Sequence, residues 1–278
     1  MLFFATTAER NISYQVEHQC PQCGAPVTLA EETLFFVCGF CRVRSCISHR
    51  GVFRYMFSPR AAPPPDSDLF FLPYWRFKGV RFFCSPDGIH HRFLDISRSA
   101  LPGHTGLFPL SLGLRSQALT LGLVSDKTQG YFIKPAAFKE ALQDHTSVVP
   151  PEMDHGNTFF HEDIGEMTSL IFSPFYKHQG RLFDAVLNQP LTTEGAEAFA
   201  VHENELCHPA KATVFIPGIC PGCGWNLEGH SDSLALVCRN CNSLWRARGN
   251  GLAKLRFGFA LPGQTGDVYL PFWRIGAG

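Results

Sequence analysis

The sequence predicts a β-rich α+β fold, in which two copies of one four-cysteine unit flank a mainly antiparallel β region with about two helices. Three observations lead to this prediction. A cysteine pattern occurs twice at a fixed distance, short alternating apolar runs separated by turn residues dominate the rest, and only two segments have helical signals. The chain of 278 residues is long enough for two or three small domains.

The cysteine pattern recurs at an offset of 200 residues, and each unit has two Cys-x-x-Cys pairs with fourteen residues between them. The first unit contains Cys20, Cys23, Cys38 and Cys41, and the second contains Cys220, Cys223, Cys238 and Cys241. The match continues beyond the cysteines, since Leu72-Pro73-Tyr74-Trp75-Arg76 aligns with Leu270-Pro271-Phe272-Trp273-Arg274 after the loss of two residues. A duplication explains this agreement, and chance does not.

Four cysteine thiolates in two such pairs are the ligand set of a closed, structural Zn²⁺ site. Each unit is therefore predicted to be a zinc ribbon, and the chain to hold two structural zinc ions. Pro21 and Pro221 preset the turn between the first two cysteines, and Gly24 and Gly224 suit its left-handed end. A hairpin is expected to bring the second pair to the first, formed by Val27–Leu29 with Leu34–Val37 and by Asn226–Leu227 with Leu234–Val237.

Other uses of the eight cysteines are less consistent with the pattern. Reactive dithiols or disulfides would not require the same spacing twice, and the Cys-x-x-Cys-His pattern of covalent haem attachment is absent. Iron in a rubredoxin-like site is the nearer rival. Zinc is favoured because Cys38–Cys41 and Cys238–Cys241 lack the Cys-Pro-x-Cys-Gly form of the first pairs.

The remaining elements are predicted from turn residues and apolar periodicity. The first elements are a loop over 61–66, a hairpin of Tyr74–Phe77 and Val80–Phe83 around a Lys78-Gly79 turn, and strands at Gln117–Val124 and Tyr131–Ile133. A helix over Pro135–His145, a loop over His145–Asn157 and a strand at Ile171–Tyr176 follow. The last elements are a Gly180 turn into the alternating run Arg181–Leu187, a helix over Thr192–Leu206 and a terminal strand at Val268–Ile275. The corresponding domains are residues 1–57 (N-terminal ribbon), 58–205 (β-rich middle region) and 206–278 (C-terminal ribbon and strand).

Charge is balanced over the whole chain but unevenly distributed. Lys+Arg and Asp+Glu are both 24, whereas residues 140–205 contain twelve acids and two bases. A docking surface for a basic partner, or for the chain's own ribbons, is therefore expected in this acidic segment. The strand at Val268–Ile275 has no local mate and is expected to pair with another sheet of this chain or of a protein partner.

A basic run without acids follows each ribbon, and such runs can track a phosphate backbone. The first has Arg42, Arg44, Arg50, Arg54 and Arg60, and the second has Arg239, Arg246, Arg248, Lys254 and Arg256, with the aromatic rings of Phe53, Tyr55 and Trp245 nearby. Docking on protein is favoured over nucleic acid because net charge is zero and no base-stacking module is evident. The Pro-aromatic-Trp segments are expected to be core rather than a peptide-binding surface.

No catalytic constellation is evident. Cys46, Cys84 and Cys207, with His49, His90, His91, His202 and His208, have no recognised ligand spacing. The run His161–Glu166 lacks the His-Glu-x-x-His pattern and is expected to be a solvated acidic loop, and phosphate-binding loops and nucleophile elbows are absent. Neither a targeting segment nor an uninterrupted apolar span is visible, so a cytoplasmic, non-enzymatic protein is expected.

The two cysteine sets with Pro73-Tyr74-Trp75 and Pro271-Phe272-Trp273 resemble a loosely defined set of bacterial proteins, in which a transcription-factor-type zinc ribbon precedes strands that begin with Pro-Phe-Trp or Pro-Tyr-Trp. The resemblance covers under half of the chain. It implies a bacterial, cytosolic accessory or scaffold component and supplies no reaction. The sequence therefore predicts a zinc-binding scaffold or adaptor subunit, with a nucleic-acid-binding accessory factor as the alternative.

Overall fold

The computed structural model describes residues 14–49, 51–101, 106–113, 119–124, 128–138, 159–191, 199–200, 202–208, 213–258 and 272, without the side chain of Glu166. Its strands are β1 Gln15–Gln19, β2 Pro26–Ala30, β3 Phe35–Val37, β4 Arg44–His49, β5 Phe53–Met56, β6 Asp68–Ser85, β7 Gly88–Ser99, β8 Leu121–Leu123, β9 Tyr131–Phe132, β10 Phe160–His178, β11 Arg181–Asp184, β12 Gln189–Pro190, β13 Thr213–Pro217, β14 Leu236–Cys238, β15 Ser243–Arg248 and β16 Gly251–Leu255. A 3-10 helix spans Glu203–Glu205. The β-rich character predicted from the sequence is confirmed.

Ten of these strands form one sheet, built around the long strands β6 and β10. These two strands pair antiparallel along almost their whole length, from Asp68 opposite Lys177 to Cys84 opposite Phe160. Strand β7 pairs antiparallel with the other edge of β6, and β5 and β11 pair with the other edge of β10. Apolar and aromatic residues are frequent in the first half of β6 and the second half of β10, where both faces of the sheet are buried.

The first ribbon is joined to this sheet by hydrogen-bonded strands. Strand β1 pairs with β2 and with β8, and β8 pairs with β5, which continues the path to β10. The main apolar core lies on this side of the sheet, and Phe70, Leu72, Tyr74, Ile171 and Phe175 contribute to it from the long strands. These pairings join strands from both sides of the domain boundary predicted at residue 57. The division into three domains stays a prediction.

The predicted turn at Lys78-Gly79 is wrong, because β6 runs straight through it and turns only at Ser85–Gly88. Gly79 instead permits a close approach between strands. A Cβ atom added to Gly79 would lie 2.4 Å from the carbonyl oxygen of Ile164, beside a bulge between Gly165 and Met167. Glycine at a bulge and glycine at a turn have the same local signature, so the pattern alone favoured the commoner turn.

Other sequence predictions are also corrected. Strand β2 pairs with β1 and β3 pairs with β4, so the hairpin expected within the first ribbon does not form. In the second ribbon, a bridge of Glu228 with Val237 joins the two expected arms, and a second bridge joins Ile219 with Asn226. His161–Glu166 lies inside β10 and is not a loop. The predicted strands at Tyr131–Ile133 and Ile171–Tyr176 and the Gly180 turn are confirmed, although β9 ends at Phe132 and β11 ends at Asp184.

The two predicted helices are not supported. Residues 139–145 of the first predicted helix lie outside the described residues. The whole loop predicted over His145–Asn157 does so too. The second was predicted to reach Leu206, but its described end contains only the 3-10 helix. Of the predicted terminal strand, only Phe272 is described, and it is 90% exposed and outside any strand.

A buried ion pair connects the first ribbon to β6. Glu31 follows β2, and its carboxylate lies 2.8 Å from the guanidinium of Arg76, with both side chains at most 1% exposed. Arg76 also contacts Asp95 at 3.1 Å and lies over the ring of Tyr14, 3.8 Å from its centroid. Burial raises the pKa of Glu31 to about 7, and the Arg76 charge offsets part of this rise.

Glu31→Gln should change how stability depends on pH. The folded-state pKa of about 7 exceeds the ordinary 4.5, so the unfolded chain releases this proton first as pH rises. The stabilisation that comes from the raised pKa of Glu31 is fully present below pH 4.5 and is lost as pH rises to about 7. Relative to the variant, the wild-type free energy of unfolding should therefore fall over this range, by an amount on the order of 3 kcal/mol. Urea unfolding at fixed zinc concentration measures this difference, and a flat difference would contradict the prediction.

Candidate metal centres

The structure brings the eight predicted cysteines together into two clusters. In each cluster, the four Sγ atoms lie within 4.8 Å of one another. In the first, Cys20 Sγ lies 3.7 Å from Cys41 Sγ and Cys23 Sγ lies 3.8 Å from Cys38 Sγ. All eight are free thiols, as the separations require, because a disulfide would place two sulfurs about 2.05 Å apart.

The second cluster has the same arrangement. Cys220 Sγ lies 3.6 Å from Cys241 Sγ, and Cys223 Sγ lies 3.4 Å from Cys238 Sγ. A tetrahedral ion with Zn–S bonds of about 2.3 Å has its sulfurs about 3.8 Å apart. The observed separations fit this tetrahedron closely, so both clusters could hold a metal ion such as zinc.

The two sulfurs of every Cys-x-x-Cys pair are positioned by a tight turn that ends in a residue with left-handed backbone conformation. Gly24 (φ 72°) and Gly224 (φ 75°) end the first turns, and their N–H groups donate to the carbonyl oxygens of Cys20 and Cys220, both at 2.8 Å. The second turns end at Arg42 (φ 62°) and Asn242 (φ 49°), which adopt the same conformation without being glycine. Their equivalence at offset 200 was missed in the sequence, and it shows that the left-handed end of this turn does not require glycine.

Backbone amides in these turns favour ionised sulfur. Hydrogen bonds from the N–H groups of Cys41 and Phe40 lower the pKa of Cys38 to about 6. Burial alone would raise the pKa of Cys220, but the N–H groups of Gly222 and Cys223 lower it to about 6. Burial raises the pKa of Cys238 to about 11, and the thiols of Cys223 and Cys241 add to the rise, because neighbouring thiols resist joint ionisation. A divalent cation removes this repulsion, so metal binding and thiol ionisation are coupled.

The two ribbons dock directly on each other through hydrogen bonds that the sequence did not predict. Strand β13, which precedes the second ribbon, pairs antiparallel with β4 of the first. The N–H groups of Leu34 and Phe35 donate to the carbonyl oxygen of Ser231 at 2.6 and 2.9 Å, and Arg44 Nη1 donates to the carbonyl oxygen of Leu227 at 2.7 Å. We call this contact the ribbon joint.

A separate apolar cluster fills the ribbon joint, and it includes two cysteines of the second metal centre. Its buried members are Phe35, Cys46, Ile216, Cys220, Leu227, Leu236, Cys238 and Trp245. A cavity of about 170 Å³ lies beside it, lined in part by Cys46, His49 and Leu234. The second metal centre is therefore part of the surface on which the first ribbon rests.

The leftover cysteines and histidines do not assemble into a further centre. Among the described residues, only the two cysteine clusters bring three or more potential ligands together. Burial raises the pKa of Cys46 to about 11, and Cys207 Sγ lies 3.6 Å from the carbonyl oxygen of Ile133.

Each basic run contains one arginine with a partner and several exposed cations, which include Arg42 and Arg60 in the first run. Arg44 is used in the ribbon joint and Arg239 forms an ion pair with Glu228 at 2.7 Å, whereas Arg246, Arg248, Lys254 and Arg256 are exposed. The rings of Phe53, Tyr55 and Trp245, which were candidates for base stacking, are all buried. In the first copy, Tyr74 is fully buried and Trp75 Nε1 donates to the carbonyl oxygen of Ala136 at 2.9 Å, so the Pro-aromatic-Trp segment is core as expected.

Sequence reasoning missed Glu31 and Arg76 as a structural pair. Glu31 lies between the two arms of the hairpin predicted for the first ribbon, and Arg76 is the last residue of the repeated motif Leu72–Arg76. The only available signal was the recurrence of Arg76 as Arg274 in the second copy.

Comparison of the chain with protein-family models, curated proteins and solved structures gives no match. Of the resemblance to bacterial zinc-ribbon proteins, only the two four-cysteine clusters are found in the structure, and the rest stays an expectation. In the described part of the chain, no helix has the length and apolar character needed to cross a bilayer.

Elemental analysis of the purified chain should give about two zinc ions per chain, because each cluster supplies one closed set of four sulfurs. Cys38→Ser should remove one zinc and lower the melting temperature by roughly 10 °C or more, since metal binding contributes folding free energy.

The matched control for this substitution is Cys207→Ser, which lies outside both clusters and retains a donor toward Ile133. It should keep both zinc ions and nearly the wild-type melting temperature. One zinc per chain, iron in quantity, or full thermal stability of the zinc-free protein would contradict the prediction.

Proposed function

We propose that this chain is a non-enzymatic scaffold or adaptor of a protein complex, whose two ribbons are fixed to each other by structural zinc. The observation that carries the proposal is the participation of Cys220 and Cys238 in the apolar cluster of the ribbon joint. A metal ion held there stabilises the docking of one ribbon on the other, as well as the fold of one small module. Zinc is proposed over iron for both centres.

The donor sets favour a structural role over catalysis. Four cysteines complete a tetrahedral coordination shell, so an ion held by them keeps no position for water or substrate. Cys20, Cys38, Cys220 and Cys238 are at most 2% exposed, whereas Cys23, Cys223 and Cys241 are exposed, so the argument for a structural role is the complete donor set and not burial. A cytoplasmic setting is proposed with this role, because unpaired cysteines are the norm in a reducing compartment, and a bacterial origin is proposed from the resemblance of the ribbons alone.

Exposed apolar side chains at the ribbon ends support contacts with protein partners. Phe40, in the second turn of the first ribbon, is 70% exposed, and Trp225, after the first turn of the second ribbon, is 58% exposed. Aromatic residues of this kind are enriched at the energetic centres of protein interfaces. Of the acidic segment, Glu162 and Glu203 are exposed and available for a basic partner, while Glu152 and Glu197 lie outside the described residues.

A nucleic-acid-binding accessory factor is the second candidate, and one observation favours it. Arg246 and Arg248 alternate on the exposed face of β15, and Lys254 and Arg256 lie on or just after β16. Lys254 lies opposite Trp245 and so on the other face from the two arginines, which leaves Arg246 and Arg248 as the pair on one face that can contact phosphates. The burial of Trp245, Phe53 and Tyr55 removes the rings that would stack on bases, so protein docking is preferred.

Loss of the second zinc should loosen contacts made by the first ribbon. In Cys238→Ser, hydrogen exchange at the amides of Leu34 and Phe35 should become faster by an order of magnitude or more, because their acceptor, Ser231, belongs to the second ribbon. The amide of Cys38, bonded at 2.9 Å to Val43 within the first ribbon, serves as the internal control. Unchanged protection at Leu34 and Phe35, with the second zinc absent, would refute a structural link between the ribbons.

Binding to nucleic acid separates the two candidate functions. Fluorescence anisotropy with single-stranded and duplex probes should give only weak, salt-sensitive binding, with Kd no tighter than about 10⁻⁶ M at physiological salt. A protein should co-purify with the tagged native chain. If the chain binds a probe much more tightly, and Arg246→Glu with Arg248→Glu abolishes that binding, the accessory-factor role replaces the scaffold.

A further inference from the structure

The two metal centres differ in the side chains that surround their sulfurs. In each ribbon, one residue directly follows the left-handed end of the second turn, and this residue is Val43 in the first ribbon and Ser243 in the second. Ser243 begins β15 opposite Cys238 and is 5% exposed. The valine side chain has no hydrogen-bond donor, whereas serine has a hydroxyl group. The duplicated ribbons are therefore chemically unequal at this position.

The hydroxyl group of Ser243 lies against the sulfurs of the second centre. Its Oγ atom lies 3.0 Å from Cys241 Sγ and 3.8 Å from Cys220 Sγ. On its other side, Trp245 Nε1 lies 2.8 Å from the same oxygen. An indole N–H can only donate, so it occupies a lone pair of the Ser243 oxygen and leaves the hydroxyl proton available for another acceptor.

Metal binding decides where that proton points. A cysteine bound to zinc is a thiolate, which accepts hydrogen bonds and has no proton to donate. In the metal-bound state, the contact is therefore a hydrogen bond from the Ser243 hydroxyl to sulfur, and Cys241 is the nearer acceptor. Four thiolates outweigh the two positive charges of Zn²⁺, so the centre carries excess negative charge. A charge-assisted hydrogen bond stabilises that charge.

We infer that Ser243 is a positioning residue of the second metal centre, and that its hydrogen bond to Cys241 makes this centre hold zinc more tightly than the first. The inference rests on the proposal that both clusters hold zinc. Residues outside the coordination shell fix the orientation of metal ligands, and their loss typically weakens metal affinity by about 10–100-fold. Trp245 connects this hydrogen bond to the ribbon joint, because its ring is buried there while its N–H group orients the hydroxyl.

Solvent exposure alone would predict the opposite order of zinc release. In the second centre, Cys223 and Cys241 are both exposed, whereas in the first centre Cys23 is exposed and Cys41 is half-buried. If access controlled release, a reagent in solution would attack the second centre first. A thiolate that accepts a hydrogen bond is less basic and therefore less nucleophilic. Our inference thus predicts that the first centre releases its zinc first.

Site-resolved zinc release from the full chain tests this order. The zinc-loaded protein is titrated with a chromophoric chelator, and the freed thiols are alkylated and located by peptide mass spectrometry. In the wild type, Cys23 and Cys41 should be alkylated at lower chelator concentrations than Cys223 and Cys241. In Ser243→Ala, the zinc affinity of the second centre should fall by about 10–100-fold, and the first centre should no longer be the first to release its zinc.

A matched control and a spectroscopic measurement separate the hydrogen bond from a general effect on packing. Val43→Ala truncates the equivalent side chain of the first ribbon and removes no donor, so the zinc affinity of the first centre should stay within a few-fold of wild type. With Co²⁺ in place of zinc, the sulfur-to-metal charge-transfer band should move to longer wavelength in Ser243→Ala, because a sulfur without its donor gives up charge more easily. The band should not move in Val43→Ala.

Three results would overturn the inference. These are an unchanged zinc affinity of the second centre in Ser243→Ala, a wild-type chain that releases its second zinc first, and an unchanged charge-transfer band in Ser243→Ala. Failure of the proposed function has a different outcome, since wild type would then bind fewer than two zinc ions, or loss of the second zinc would leave the amides of Leu34 and Phe35 protected. If neither of these occurs and Ser243→Ala has no effect, only the role of Ser243 is refuted.

Discussion

The antiparallel pairing of β6 with β10 is the contact to which the rest of the large sheet attaches. Its first half lies between two apolar cores, with Phe70, Leu72 and Tyr74 on one face and Phe71 on the other. Its second half leaves the cores. Two strands of eighteen and nineteen residues are unusually long, and a glycine pair with a bulge at Gly79 and Gly165 allows them to stay paired past the core.

The two copies of the repeat share their metal-binding turns and the hairpin around the second turn, β3–β4 and β14–β15, but differ in their other strand partners. In the second copy, β14, β15 and β16 form one antiparallel sheet. In the first copy, β5 leaves the ribbon for β10, and β4 takes β13 of the second copy as its neighbour. One duplicated unit thus became a part of the large sheet, while the other stayed a compact ribbon that docks on the first. This asymmetry makes the ribbon joint possible.

The buried pair of Glu31 and Arg76 shows the cost of holding a ribbon against the sheet. Removing both charges from water is expensive, and the raised pKa of Glu31 records this desolvation. The contacts of Arg76 with Asp95 and with the Tyr14 ring compensate part of that cost. A pair of this kind specifies one arrangement, because Glu31 in any other register would be left buried without a cation. The ion pair therefore fixes the position of the first ribbon on the sheet.

The sequence alone determined the two four-cysteine clusters, because the spacing of the sulfurs in a Cys-x-x-Cys turn is a local property that four residues fix. It also determined the β-rich character, through the periodicity of segments such as Ile171–Tyr176. The tertiary structure decided which strands pair and that Glu31 is buried. Those features depend on hydrogen bonds between segments far apart in the chain, such as Phe53 with Ser169 and Ser45 with Pro217. A strand's pattern shows that it will pair, but any edge of matching polarity satisfies it, so only the assembled fold selects the partner.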